Sequence, residues 1–163
     1  MSTVPTPLRS VTKDQSGQAL VEFVLVLPVL LLLLFGMLDF GKAYNYWSDA
    51  NQLTAEGARY AVVNRKPDPA NTGSLQLQIR NQADTAELRN GTGSISTPQV
   101  CVDFPNGTSN IGDPVRVRMS FTYAFLGFIG RRLTGNPIFT RTVTTTSIMR
   151  LEALPTNYAA GCA

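Results

Sequence analysis

The chain has 163 residues, 44 % of them apolar and only 15 % charged, with a formal net charge of +3. That length holds one domain plus an anchor rather than two full domains. Its basic residues are scattered without a lysine run or a basic helical stripe, which argues against a nucleic-acid partner; the absence of histidine removes the commonest general base and metal ligand together.

The first element is the stretch SGQALVEFVLVLPVLLLLLFGMLDFG, Ser16 to Gly41. It contains 16 consecutive uncharged residues, Phe23 to Leu38. A spanning helix needs roughly 20. Counting from Gln15, with Glu22 included, gives about 24 residues and roughly 36 Å of helix. The run is longer than a cleaved signal's apolar core and has no A-x-A site after it, so a retained anchor is expected. Arg9 and Lys13 precede it, while Asp39 and Lys42 cancel beyond it. The positive-inside rule then assigns residues 1–17 to a cytoplasmic leader, 18–41 to a span of the cytoplasmic (inner) membrane, and 42–163 to an extracytoplasmic domain. Tyr44, Tyr46 and Trp47 fit an aromatic belt at the outer surface.

Two residues in the span need a reason. Pro28 removes one helical hydrogen bond, from the Val24 carbonyl, so a kink is expected; it is either inert or a bend used in packing. Glu22 costs ~2.5–3.5 kcal/mol if carried into the bilayer. It either stays wet at headgroup level or is neutralised by a cation from another chain or from a newly made N-terminal amine.

A short basic leader, Gly17, Gln18 and then Glu22, the fifth residue after the glycine, resemble a prepilin leader. The resemblance implies cleavage after Gly17 by a membrane aspartic peptidase, with Glu22 assisting processing and assembly. The longer run GQALVEFVLVLPVLLLLLFGMLDFGKAYNYWSDANQLTAEGARYAVV is similar to the N-terminal motif of the TadE-like family, minor pseudopilins of tight-adherence (Flp-type) pilus systems. Gly17, Ala19, Glu22, Phe23, Leu27, Pro28, Gly36, Asp39, Phe40, Gly41, Ala55, Gly57, Ala58 and Arg59 carry it. VRVRMSFTYAFLGFIG and TVTTTSIMRLE are similar to the two-strand ending of these proteins. The implied partners are other pilin-like subunits, the pilus assembly machinery, a prepilin peptidase and the lipid bilayer.

The first helix should continue to about Asn64, with Ala50, Leu53, Gly57 and Tyr60 or Ala61 at helical spacing. The small residues Ala50, Thr54, Gly57 and Ala61 invite close approach, by the protein's own sheet or by a neighbouring subunit. RKPDPANTG ends the helix. A second helix begins after Ser74 as cap, with Leu75, Ile79, Ala83, Ala86 and Leu88 as its stripe, and stops at NGTG. QVCVDF is a strand with Val100, Val102 and Phe104 on one face. VRVRMSFTYAF is the clearest strand, with Val115 to Phe125 alternating inward and Arg116, Arg118, Ser120 and Thr122 outward. Arg116 and Arg118 read as a solvated face or as a partner patch. LGFIGRRLTGN is a loop or short helix, and TRTVTTTSIMRL a last β-branched strand. The NGT triplets at Asn90 and Asn106 read as turns. Cys101 and Cys162 lack metal-site spacing; outside the cytoplasm they either pair, pinning the tail to the first strand, or stay as buried thiols.

The expected fold is α+β and pilin-like: a long N-terminal transmembrane helix, a second helix, and a three- or four-stranded antiparallel sheet. Catalytic motifs are absent, so neither an enzyme nor a cofactor is expected. Gly17, Gln18 and Glu22 are the processing residues, and Pro28, Gly36, Gly41, Ala50 and Gly57 the helix-packing residues. Two readings follow, a pilus assembly protein or a membrane-tethered extracytoplasmic binding module. Intolerance of change at Glu22 marks the first, and at Arg116 and Arg118 the second.

Overall fold

The computed structural model describes residues 16–137 and 139–163. Most of the leader, with Arg9 and Lys13 that set the expected orientation, lies outside them. The fold is α+β, in the order α1 (Ser16–Val62), α2 (Leu75–Asn81), α3 (Ala86–Asn90), β1 (Gln99–Asp103), β2 (Pro114–Phe125), α4 (Gly127–Thr134), β3 (Phe139–Arg150) and β4 (Gly161–Cys162). The chain divides into two units, one ending at Gly36 and the other Met37–Ala163.

In the first unit the described chain is helix alone. Its helical assignment runs through Pro28 without interruption. Leucine and valine stand on every face, so no single stripe selects a protein partner.

The second unit has a core. β2 alternates as its sequence dictates: Val115, Val117, Met119, Phe121 and Tyr123 are buried, while Arg116, Arg118, Ser120 and Thr122 lie half-exposed. The sheet is antiparallel, in the order β3-β2-β1-β4. The part of α1 from Tyr46 to Val62 packs on the inward face, presenting Tyr46, Ala50, Leu53, Ala58 and Ala61. Its register is fixed by polar bonds as well as by packing. The Thr145 hydroxyl donates to the Ala50 carbonyl at 3.2 Å, and the Tyr158 hydroxyl to that of Ala61 at 2.9 Å. The amides of Glu152 and Ala153 both donate to the Val62 carbonyl at 3.1 Å.

Three expectations change. The single helix expected after Ser74 is two short ones. Ser74 caps α2 as expected, accepting from the Leu77 amide. A second cap, Thr85, then accepts from the Leu88 amide and starts α3 afresh, while the Asp84 amide donates to Asp49 Oδ2 at 3.0 Å. Side-chain caps compete with helix continuation, and the break leaves Ala86 exposed rather than on the stripe. Tyr46 is not part of an aromatic belt: it is 7 % exposed and its ring lies 6.0 Å from that of Tyr123. And the small face of α1 meets two different elements. At Ala50 the neighbour is the sheet, but at Gly57 it is α2, where an added Cβ would lie 2.6 Å from Ile79 Cδ1.

The first NGT triplet is the C-terminal end of α3 and its cap rather than a separate turn, and the second lies in a turn. Gly91 follows α3 at φ +69°, and an added Cβ there would collide with the Thr97 backbone. The second triplet turns back through a bond from the Gly107 amide to the Phe104 carbonyl.

Candidate functional site

The sequence points to three places, and the structure treats them differently. The first is the apolar segment itself. From Gly17 to Leu38 nearly every residue is exposed, and none of its most apolar 18-residue window is buried. Among the described residues, α1 is the one helix long and apolar enough to cross a membrane. A patch of exposed apolar surface this size is not tolerated in water and marks contact with lipid or protein. Gly17, Gln18, Val21, Glu22 and Leu25 line one face of it together. Gly17, Gln18 and Glu22, the expected processing residues, therefore stand close together, with Gln18 and Glu22 on one face by their four-residue spacing. Among the described residues Glu22 has no ion-pair partner.

The helix-packing residues separate into two kinds. At Gly36 and Gly41 an added Cβ would meet nothing within 4 Å, so the chain's own packing does not demand glycine there. Ala50 is fully buried and Gly57 is held against Ile79. These two serve the fold of the chain that carries them.

The third place is the pair of cysteines. Cys101 and Cys162 form a disulfide across the β1–β4 register, 61 residues apart in sequence. Beyond it, Val100 and Ala163 exchange two backbone hydrogen bonds at 2.9 Å. The tail is thus a fourth strand on the sheet edge.

Sequence reasoning missed the role of Asp39. It noted the residue as the end of the apolar run and as part of the family motif. In the structure its carboxylate joins α1 to the far end of β2. Oδ1 accepts from the Tyr123 hydroxyl at 2.7 Å, and Oδ2 from the Leu126 amide at 2.6 Å. The Asp39 carbonyl accepts from the same hydroxyl at 3.2 Å. Leu126 adopts φ +49°, and no side chain caps the first turn of α4. A non-glycine residue in that region is strained, and the carboxylate bond holds it there. Burial, then the bond to Asp39, raises the Tyr123 phenol well above its usual range. Burial also raises Tyr46, helped by the nearby charges of Glu87 and Asp39. The signal for this site was Tyr123 at an inward strand position, because a buried phenol needs a partner.

Arg116 is not free for a partner. Its guanidinium pairs with Asp103, with Nε donating to the two carboxylate oxygens at 2.9 and 3.0 Å and Nη2 donating to Oδ2. The bond to Arg116 lowers the Asp103 pKa below the ordinary carboxylate value. Arg118 stays half-exposed beside it.

Comparison with known proteins agrees with the first of these places. No curated protein and no solved structure matches the chain. Residues 17–59 match the family model described as TadE-like protein. That stretch runs from the expected cut site, through Glu22 and Asp39, to the Ala55–Arg59 turn, so the N-terminal helix is similar to that of TadE-like proteins.

Proposed function

We propose that the chain is a minor pseudopilin or assembly component of a tight-adherence pilus. It is anchored by residues 18–41 in the cytoplasmic membrane, with its leader inside and residues 42–163 outside, and is processed after Gly17. The observation that carries this reading is an apolar helix exposed on every face, bearing a carboxylate that has no ion-pair partner among the described residues, inside a TadE-like region. A passive tether has no use for Glu22, which only costs insertion energy. In an assembly, the amine or basic side chain of a neighbouring subunit neutralises it at the same depth. Gly36 and Gly41, beside which no described residue lies within 4 Å of an added Cβ, give neighbouring helices room to approach.

Glu22→Ala in the native host tests the reading. Membrane insertion should persist, because the substitution makes the segment more apolar. Pilus yield, processing or both should fall at least tenfold. Unchanged yield and processing would leave a membrane-tethered binding module as the better account. Intact mass of the protein from its own membrane tests the processing step: the chain should begin at Gln18.

A further inference from the structure

We infer that the end of the sheet beside Asp39 is a second membrane contact, which binds the phosphate-bearing headgroups of anionic phospholipids. The inference rests on the reading of residues 18–41 as a span. By sequence the apolar run ends at Leu38, so Asp39 stands at the lipid boundary. The 2.6 Å bond from the Leu126 amide to Asp39 holds the residue just before α4 at that same level. β3 begins there too, since Phe139 pairs with Phe125 at the end of the β2–β3 ladder.

The groups placed at this level suit a headgroup layer. Arg131 and Arg132 of α4 are exposed, and together with Gly93, Ser94 and Gly127 they line an open cleft of about 440 Å³. The cleft is wide enough for a phosphate and its first carbons. Arg131 is held by a bond from its guanidinium to the Gly93 carbonyl at 2.6 Å, which leaves its other N–H groups to bind. Arg141, opposite Tyr123 in the ladder, and Lys42 on α1 are exposed at the same end. Phe139 is 66 % exposed there, an apolar ring of the kind that buries at the headgroup–acyl boundary. Asp39 supplies a negative charge at this end, but both its carboxylate oxygens are taken by Tyr123 and Leu126. Arginine forks match phosphate geometry, and each basic residue near an anionic surface is worth about a fivefold gain in binding.

The full chain in lipid nanodiscs tests this by hydrogen exchange. Amides of residues 126–135 should exchange about fivefold or more slowly in phosphatidylglycerol discs than in phosphatidylcholine discs. The double variant Arg131→Gln/Arg132→Gln should lose that difference while β1 and β2 stay protected, and Arg131→Lys/Arg132→Lys should keep most of it. Equal exchange in the two lipids would overturn the inference. So would protection in phosphatidylcholine discs on adding inorganic phosphate, since the cleft would then bind a free anion. Protection of residues 20–38 reports insertion separately: if it is present and residues 126–135 ignore the lipid, only the second contact fails.

Discussion

The two stretches of α1, Gly17–Gly36 and Met37–Val62, belong to one helix and obey different rules. The first is apolar all round and buries nothing. The second confines burial to a stripe, Tyr46, Ala50, Leu53, Thr54, Gly57, Ala58, Ala61 and Val62, and keeps Gln52 and Arg59 exposed. Burying apolar surface stabilises by about 25 cal/mol per Å² wherever water is excluded. The second stretch obtains this from its own sheet and α2. The first cannot obtain it from anything in its own unit, so its sequence makes sense only against lipid or other chains. Small residues change meaning with the stretch: Gly57 answers to Ile79, while an added Cβ at Gly36 meets nothing within 4 Å among the described residues.

The disulfide should break the comparison most sharply. It closes a loop with a sequence separation of 61 residues, which constrains the unfolded chain by about 4 kcal/mol in the chain-entropy account. Cys101→Ser/Cys162→Ser should lower the stability of residues 37–163 by up to that amount, read by denaturant unfolding with Trp47 fluorescence. Co-purification of the chain with membranes should not change. If insertion fell as well, the two stretches would not be independent.

The glycines give the next largest effect. Gly57→Leu drives a side chain into Ile79, and overpacking of this kind costs about 1–3 kcal/mol. Gly36→Leu should leave the unfolding midpoint of residues 37–163 where it is, and should lower pilus yield if neighbouring helices use the space. Measured side by side, the pair separates packing within the chain from packing between chains.

Why some of this was legible in sequence and some was not follows from the range of the interactions. β2 reads directly because alternation at Val115, Val117, Met119, Phe121 and Tyr123 is a local pattern with one buried face. The Gly57 spacing announced a close approach but not its partner, since Ile79 lies 22 residues on. β4 has two residues and no pattern of its own; the disulfide and the bonds to Val100 make it a strand. The break between α2 and α3 was hidden because the apolar period runs on through Ala83 and Ala86 while Thr85 restarts the backbone. Tyr46 was misread by composition, although its place four residues before Ala50 put it on the inward stripe. Of the candidate site, the segment and its carboxylate were visible from Gly17 to Leu38. The Asp39 clamp was not, since its partners lie 84 and 87 residues away.

That clamp supplies a third test. Tyr123→Phe keeps the ring in the core and removes the donor to Asp39 Oδ1 and to the Asp39 carbonyl. A hydrogen bond to a charged group contributes about 1.5–3 kcal/mol, and a part-buried position falls toward the lower end. The unfolding midpoint should drop accordingly. Amides near Leu126 should exchange faster, because α4 begins on the same carboxylate. Faster exchange at Leu126 with no change at Thr145 would confine the effect to that end of the helix.

The smallest expected effect is acid sensitivity at the β1–β2 edge. Asp103 has its pKa lowered from the ordinary 3.8, chiefly by its bond to Arg116. The unfolded chain therefore binds a proton there at a higher pH than the folded one. Stability from the pair is complete above the unfolded value and is lost as pH falls through the folded value, so neutral pH is flat. The Asp103 side chain is 37 % exposed, so water and salt screen the pair and the slope is shallow. Asp103→Asn should flatten the stability curve below about pH 4 and lower it slightly at pH 7, where the pair's contribution is complete, so that the two curves converge in acid. Part of the slope should survive in that variant: Asp113 is also lowered, by bonds from Thr108 and the Asn110 amide, and has the same sign. Raising the salt concentration should reduce the wild-type slope toward that of the variant, because a screened pair has little left to lose.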